Sequence, residues 1–190
     1  MVSPENRFAV FLDIDGTLIS DSFRITQQNL NAIAAARAKG HLVFINTGRS
    51  WGNIPTELRE QFDVDGVIAG SGAMIILNGE TVFKRKFDEE TVRKTAEYFF
   101  ANREYWCVFE GIQTNYIIPN AGYQVREGRQ IELKSIDDLS LFLPDEEIQV
   151  IAAGPVVPDE FMRMLDEEMT FFIMRTYADC VIKGCNKAKG

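Results

Sequence analysis

One histidine, three cysteines, a shortage of positive charge and no apolar run of membrane-spanning length rule out much of what this 190-residue chain could do. His41 stands alone at the start of an apolar run, so a catalytic triad built on histidine has no support. Cys107, Cys180 and Cys185 are odd in number and form no disulfide framework, which fits reduced thiols in a cytoplasm. Cys180 and Cys185 have no second Cys/His pair to complete a metal site. With 20 Lys and Arg against 28 Asp and Glu, the net charge of -8 argues against non-specific nucleic-acid binding and against an anionic membrane surface. It leaves a phosphorylated ligand open, because one lysine or a metal can dominate a site locally. The opening MVSPENR is polar and unlike a signal peptide, and no later stretch is apolar for long enough to span a bilayer. A cytoplasmic protein with neither nucleic-acid nor membrane partners is the expectation.

What the chain does have is concentrated in FLDIDGTL, Phe11 to Leu18. The apolar run from Phe8 to Leu12 is long enough for a strand and too short for a helix of its own. It ends by delivering Asp13 and Asp15 into a loop, and Gly16 lets the chain turn at once. Two apart on an extended chain, the carboxylates project to the same side. There they repel unless a cation or a shared proton lies between them. An oxygen-only pair suits Mg2+, which is held by one or two carboxylates together with phosphate and water. Taken alone, Asp-x-Asp-Gly is as readily a solvated turn.

Strand one is read over residues 7–14, followed by a loop or tight hairpin over 16–23. Residues 25–39 predict a helix: Thr26 is a natural N-cap, Ile25 and Leu30 stand at the positions of a hydrophobic staple, and Leu30, Ile33, Ala34 and Ala38 form a stripe that ends at Gly40. A second apolar strand over 41–45 completes a βαβ unit, hence a parallel sheet. That strand empties into Asn46-Thr47-Gly48-Arg49-Ser50. Ligands collect at the carboxyl ends of adjacent parallel strands, and a hydroxyl, a flexible glycine backbone and an arginine are what a phosphate oxygen needs. A short helix over 51–61, with Pro55 in its first turn, and a third strand over 64–69 follow. Gly70-Ser71-Gly72-Ala73 reads as a tight loop near the site, and Asn78-Gly79 as the turn of a hairpin. From about Lys84 the pattern changes to a helix over 88–102, strands over 105–109 and 113–118, an irregular stretch over 120–129, a strand over 149–153, a helix over 158–168 and a strand over 170–175. This is a mixed α/β unit inserted into the first, with Tyr105, Trp106, Phe109, Phe171 and Phe172 expected in its core.

FLDIDGTL resembles the first signature motif, DxDGT with hydrophobic flanks, of the haloacid dehalogenase superfamily of phosphohydrolases. Thr47-Gly48-Arg49 resembles the second motif in its Cof-type form. Gly184-Cys185-Asn186-Lys187 resembles the third, where a lysine after a short Gly-x-Asn or Gly-x-Ser turn returns to the core. The resemblance implies an α/β fold: a Rossmann-like parallel-sheet core beginning over residues 1–83, an inserted α/β cap over 84–183, and a return to the core over 184–190. It implies Asp13 as nucleophile, Asp15 as general acid and base, Mg2+ held by Asp13 and Asp15, and Thr47 and Lys187 on the transferring phosphoryl group. Lys183 and Lys189 are close enough to compete for the lysine's role. Gly48, Arg49 and Ser71 are expected to contact substrate, although Arg49 could equally serve a helix terminus.

The chain also departs from the pattern. Ser71 stands where the branch typically carries asparagine, and Ala188 where glycine is usual. The family's fourth motif, an acidic Gly-Asp stretch, would follow Lys187, but the sequence stops at Gly190. The core is therefore expected to be incomplete at its C-terminal side, either as a truncated product or as a shortened protein. An exposed sheet edge at the first strand would then invite self-association. The implied function is Mg2+-dependent hydrolysis of a small phosphorylated metabolite of sugar-phosphate type through an aspartyl-phosphate. The alternative is a truncated, catalytically weak or inactive domain that binds phosphate ligands or a partner chain.

Overall fold

The computed structural model describes residues 7–19 and 24–188. The far half of the loop expected over 16–23 lies outside the described residues, and so does Lys189. The described chain divides into two compact units.

The first unit is built from residues 7–19, 24–48, 54–84 and 186–188. Its sheet runs in the order β1 (Ala9–Leu12), β2 (Leu42–Asn46), β3 (Gly66–Ala69), β4 (Met74–Leu77) and β5 (Glu80–Lys84). The first three strands are parallel and the last two antiparallel. The β4–β5 turn has Asn78 and Gly79 both at positive φ, 50° and 85°, as a two-residue hairpin of this twist requires. Helix α1 (Gln27–Ala38) links β1 to β2 and starts on Thr26, whose Oγ1 accepts the Asn29 N–H at 3.2 Å. The expected stripe is rotated: Ile33 is buried, but Ala34 and Ala38 are exposed. Polar anchors set the rotation, since Asn29 donates to the Leu18 carbonyl and Arg37 pairs with Asp63 and Asp65.

The helix expected over 51–61 forms as two short pieces, a 3-10 turn at Trp51–Asn53 and α2 (Thr56–Arg59). Pro55 is the reason: its ring disfavours a helical conformation in the residue before it, and it sits extended itself, at φ -55° and ψ 141°, as the cap of α2.

The second unit takes in Arg49–Asn53 together with Arg85–Cys185. Its elements are α3 (Glu89–Ala101), β6 (Trp106–Gly111), β7 (Asn115–Ile118), β8 (Gln130–Glu132), α4 (Leu139–Phe142), β9 (Ile148–Gly154), α5 (Asp159–Met164), β10 (Met169–Ile173) and β11 (Ala178–Ile182). The sheet order is β10-β11-β9-β6-β7-β8, antiparallel throughout except for β7 with β8. Asp88 caps α3 by accepting the Thr91 N–H at 2.7 Å. The core holds Phe99 and Phe161 edge-on at 5.0 Å, with Phe109 fully buried. Phe172, expected in that core, is 39% exposed because it lies on β10, a terminal strand of the sheet. The sequence pattern shows neither β8 nor α4, which are three and four residues long.

Candidate active site

Strand β1 ends at Leu12 and hands the chain to Asp13, whose carboxylate is held at both oxygens. Oδ1 accepts the Ile14 N–H at 2.9 Å, and Oδ2 accepts from the Lys187 ammonium at 2.8 Å. The two side chains remain 38% and 43% exposed, so the pair is fixed yet open to an incoming ligand. Lys187 is tethered again through its backbone, its carbonyl accepting the Asn46 side-chain N–H at 2.9 Å from the end of β2. Lys183, the described competitor, donates instead to the Asp166 carbonyl at 2.6 Å within the second unit.

After Asp13 the backbone turns tightly. The Ile14 carbonyl accepts N–H groups from Leu18 and Ile19 at 3.0 and 3.1 Å. The Gly16 N–H returns to the Ile19 carbonyl at 2.9 Å, with Gly16 at φ 72°. Asp15 is exposed on this turn.

The next two parallel strands deliver their residues to the same end of the sheet. Thr47 is 1% exposed, its N–H donating to the Ile68 carbonyl at 2.9 Å and its carbonyl accepting the Ser71 N–H at 3.1 Å. Gly48 lies so close to Ser71 that a Cβ there would stand 3.6 Å from the serine Oγ. Ser71 has a left-handed backbone, φ 53° and ψ 40°, between Gly70 and Gly72 at φ 59° and 91°. A non-glycine residue there is strained, and such strain gathers at functional sites. Asp13, Thr47, Gly48, Ser71 and Lys187 thus belong to one end of the first unit's parallel sheet. Arg49 packs with the second unit, where its guanidinium donates to the Asn53 carbonyl at 3.2 Å.

Asp13 and Asp15 are hard oxygen donors on a partly exposed turn, which suits Mg2+. The described residues contain no cluster of three or more His, Cys, Asp or Glu, so water and phosphate oxygens would supply the remaining ligands. Among the described residues no helix is long and apolar enough to cross a membrane.

Two polar residues near the ends of these segments are not singled out by a reading of the sequence. Asn46 carries no signal beyond its place before Thr47. Glu110 did carry one, a carboxylate inside the apolar run WCVFEG, since a buried charge needs partners. Burial pushes the Glu110 carboxyl up to about 7, and nearby Asp179 adds to this; the Ser50 N–H, the Asn53 side chain and Arg49 pull it back.

Residues 10–190 match the family model of the haloacid dehalogenase-like hydrolases. The chain is 27% identical over 165 residues to YkrA of Bacillus subtilis, covering 77% of this chain and 61% of that protein. It is 24% identical over 174 residues to phosphatase YwpJ of Bacillus subtilis, covering 86% and 59%. It therefore spans about three fifths of the length of these relatives. Among solved structures, the subclass IIB sugar phosphatase BT4131 superimposes with a TM-score of 0.71 at 26% identity, over 97% of this chain and 73% of that one.

Proposed function

The chain belongs to the haloacid dehalogenase-like hydrolases, and from that membership we propose that it is a Mg2+-dependent phosphohydrolase of small phosphorylated metabolites, sugar phosphates foremost. The observation that carries this reading is the Asp13–Lys187 pair, 174 residues apart in sequence and 2.8 Å apart at the end of a parallel strand. The name of BT4131, a sugar phosphatase at 26% identity, supports the substrate class.

Asp13 Oδ attacks phosphorus in line with the ester oxygen. The P–O ester bond breaks, Asp15 gives its proton to the departing alkoxide, and the phosphoryl group rests on Asp13 as an acyl phosphate. Asp15, now a carboxylate, takes a proton from water, whose oxygen attacks the same phosphorus and releases phosphate. The Lys187 ammonium and the Thr47 hydroxyl face the equatorial oxygens and neutralise charge there, which is most of what phosphoryl transfer asks of a protein. Asp13 and Asp15 would hold Mg2+, which would supply further charge neutralisation at the phosphoryl oxygens. Gly48, Arg49 and Ser71 contact substrate, and the second unit acts as the cap whose loops choose the leaving group. The three uncrosslinked thiols fit work in a cytoplasm.

Hydrolysis of an aryl phosphate and of a panel of sugar phosphates, with Mg2+ and then with a chelator, tests this reading. Turnover that stops with the chelator is the expected result. Ligand binding without any turnover would replace the enzyme with a phosphate-binding domain.

A further inference from the structure

We propose that Glu110 is a positioning residue: from β6 it clamps the Arg49–Asn53 segment and so sets where the Arg49 guanidinium stands. The inference rests on the reading that Arg49 contacts substrate. Contacts within the second unit carry it.

The Glu110 carboxylate is 8% exposed and takes hold of two residues of the segment, Ser50 next to Arg49 and Asn53 at its far end. Its Oε2 accepts the Ser50 N–H at 3.3 Å, and its other contact is the Asn53 side chain. Asn53 is locked in turn, because its Oδ1 accepts from Asn115 Nδ2 at 3.1 Å, and Asn115 faces Glu110 across the β6–β7 ladder. The Asn53 carbonyl then receives the Arg49 guanidinium at 3.2 Å. The polar chain therefore runs from two strands of the sheet to the arginine without a gap.

The segment is also pressed onto the β6–β7 turn. A Cβ at Gly52 would lie 2.5 Å from the Gly111 carbonyl oxygen and 3.0 Å from the backbone of Ile112 and Gln113, so only glycine fits. Ser50 is fully buried, and its Oγ accepts the Asn53 N–H at 3.2 Å, which closes the segment on itself. Thr47 and Gly48 immediately precede this stretch in the chain. Only two residues therefore separate the buried threonine at the strand end from the first clamped backbone group.

A clamp made by a carboxylate acceptor is tightest when the carboxylate is charged. The charged groups facing Glu110 are Asp179, from β11, and Arg49, on the segment itself; Asn115 comes from β7 and apolar Val150 from β9. Burial brings its titration to about 7, so the clamp loosens as pH falls through neutrality. Arg49 then loses its fixed position while Asp13, Thr47 and Lys187 keep theirs.

Trp51 sits inside the clamped segment and Trp106 is the other tryptophan, so Trp106→Phe leaves Trp51 as a reporter that needs no turnover. Its fluorescence should change in one step with a midpoint near pH 7, and the step should vanish when Glu110→Gln is added. In hydrolysis of glucose 6-phosphate, Glu110→Gln should raise KM about tenfold at about pH 8 with a smaller effect on kcat, the worth of one charge-assisted hydrogen bond. At about pH 6 wild type and variant should converge. Ionisation of the substrate is common to both proteins and cancels in the comparison. Glu110→Asp, which keeps the charge, should restore part of KM and should retain a fluorescence step, which keeps the test decisive if the glutamine variant folds poorly. A step that survives in Glu110→Gln, or a KM unchanged by it at both pH values, overturns the proposal. If the wild type hydrolyses no phosphate ester, the functional reading fails, while the fluorescence step still decides the clamp.

Discussion

Lys187 Nζ stands 2.8 Å from Asp13 Oδ2, while the Ile14 N–H holds the other carboxylate oxygen, Oδ1. In the proposed reaction a cation placed there acts on charge that develops during transfer rather than on the stability of the resting protein. Lys187→Met should therefore lower kcat by roughly a hundredfold or more, as loss of one preorganised charge at a transition state does. An ion pair this exposed contributes at most about 1 kcal/mol to folding, so the urea midpoint should barely move. A variant that unfolds more readily but turns over normally would make the pair structural.

Glu110 gives the protein a pH-dependent stability. Its folded-state value lies near 7 against an ordinary 4.5, so its contribution favours the folded protein fully below pH 4.5 and is lost as pH rises through 7. Glu110→Gln is neutral at every pH. Relative to wild type it should gain stability between about pH 5 and about pH 8, by up to roughly 3 kcal/mol. Urea unfolding at the two pH values measures this, and a constant difference would mean that Glu110 does not titrate in that window.

Ser71 holds a left-handed backbone that glycine adopts freely. Ser71→Gly should stabilise the protein by about 1 kcal/mol. It should also weaken sugar-phosphate binding, because the hydroxyl beside Gly48 is lost. Thermal unfolding and calorimetric titration separate the two effects; a stabilised variant with unchanged affinity would show that the hydroxyl has no ligand role.

Much of the first unit is legible in the sequence because local signals and tertiary need agree there. Thr26 caps α1, Asn78-Gly79 turns the hairpin, and the apolar runs before Asp13 and Asn46 become adjacent parallel strands. What escapes depends on partners distant in sequence. The inward face of α1 is set by Asp63 and Asp65 gripping Arg37, and no periodicity within the helix encodes that. The segment after Thr47 joins the second unit through Glu110, some sixty residues away, so Arg49 parts company with the motif it belongs to in the sequence. Lys187 follows the Gly-x-Asn turn that marks it in the sequence, and the fold separates it from Lys183 by placing one against Asp13 and the other against Asp166.

Strand β1 pairs with β2 alone among the described residues, and it carries no proline. Phe8 and Phe11 on and beside it are 63% and 53% exposed, Phe11 stacking on Phe44 at 5.1 Å. An open apolar edge is a template for another strand. The protein should therefore self-associate as its concentration rises, and Phe11→Lys should shift the onset upward. Light scattering over a concentration series reads this, and a monodisperse monomer throughout would remove the edge as a contact.

The central claim is that Asp13 carries the phosphoryl group, and its most direct measurement is an acid quench during turnover of a 32P-labelled sugar phosphate, followed by peptide mapping. The label should appear on the peptide that contains Asp13, form and decay more slowly in Asp15→Asn because both the proton for the alkoxide and the base for water are lost, and be absent in Asp13→Asn. Label on any other residue, or undiminished hydrolysis by Asp13→Asn, would contradict the account.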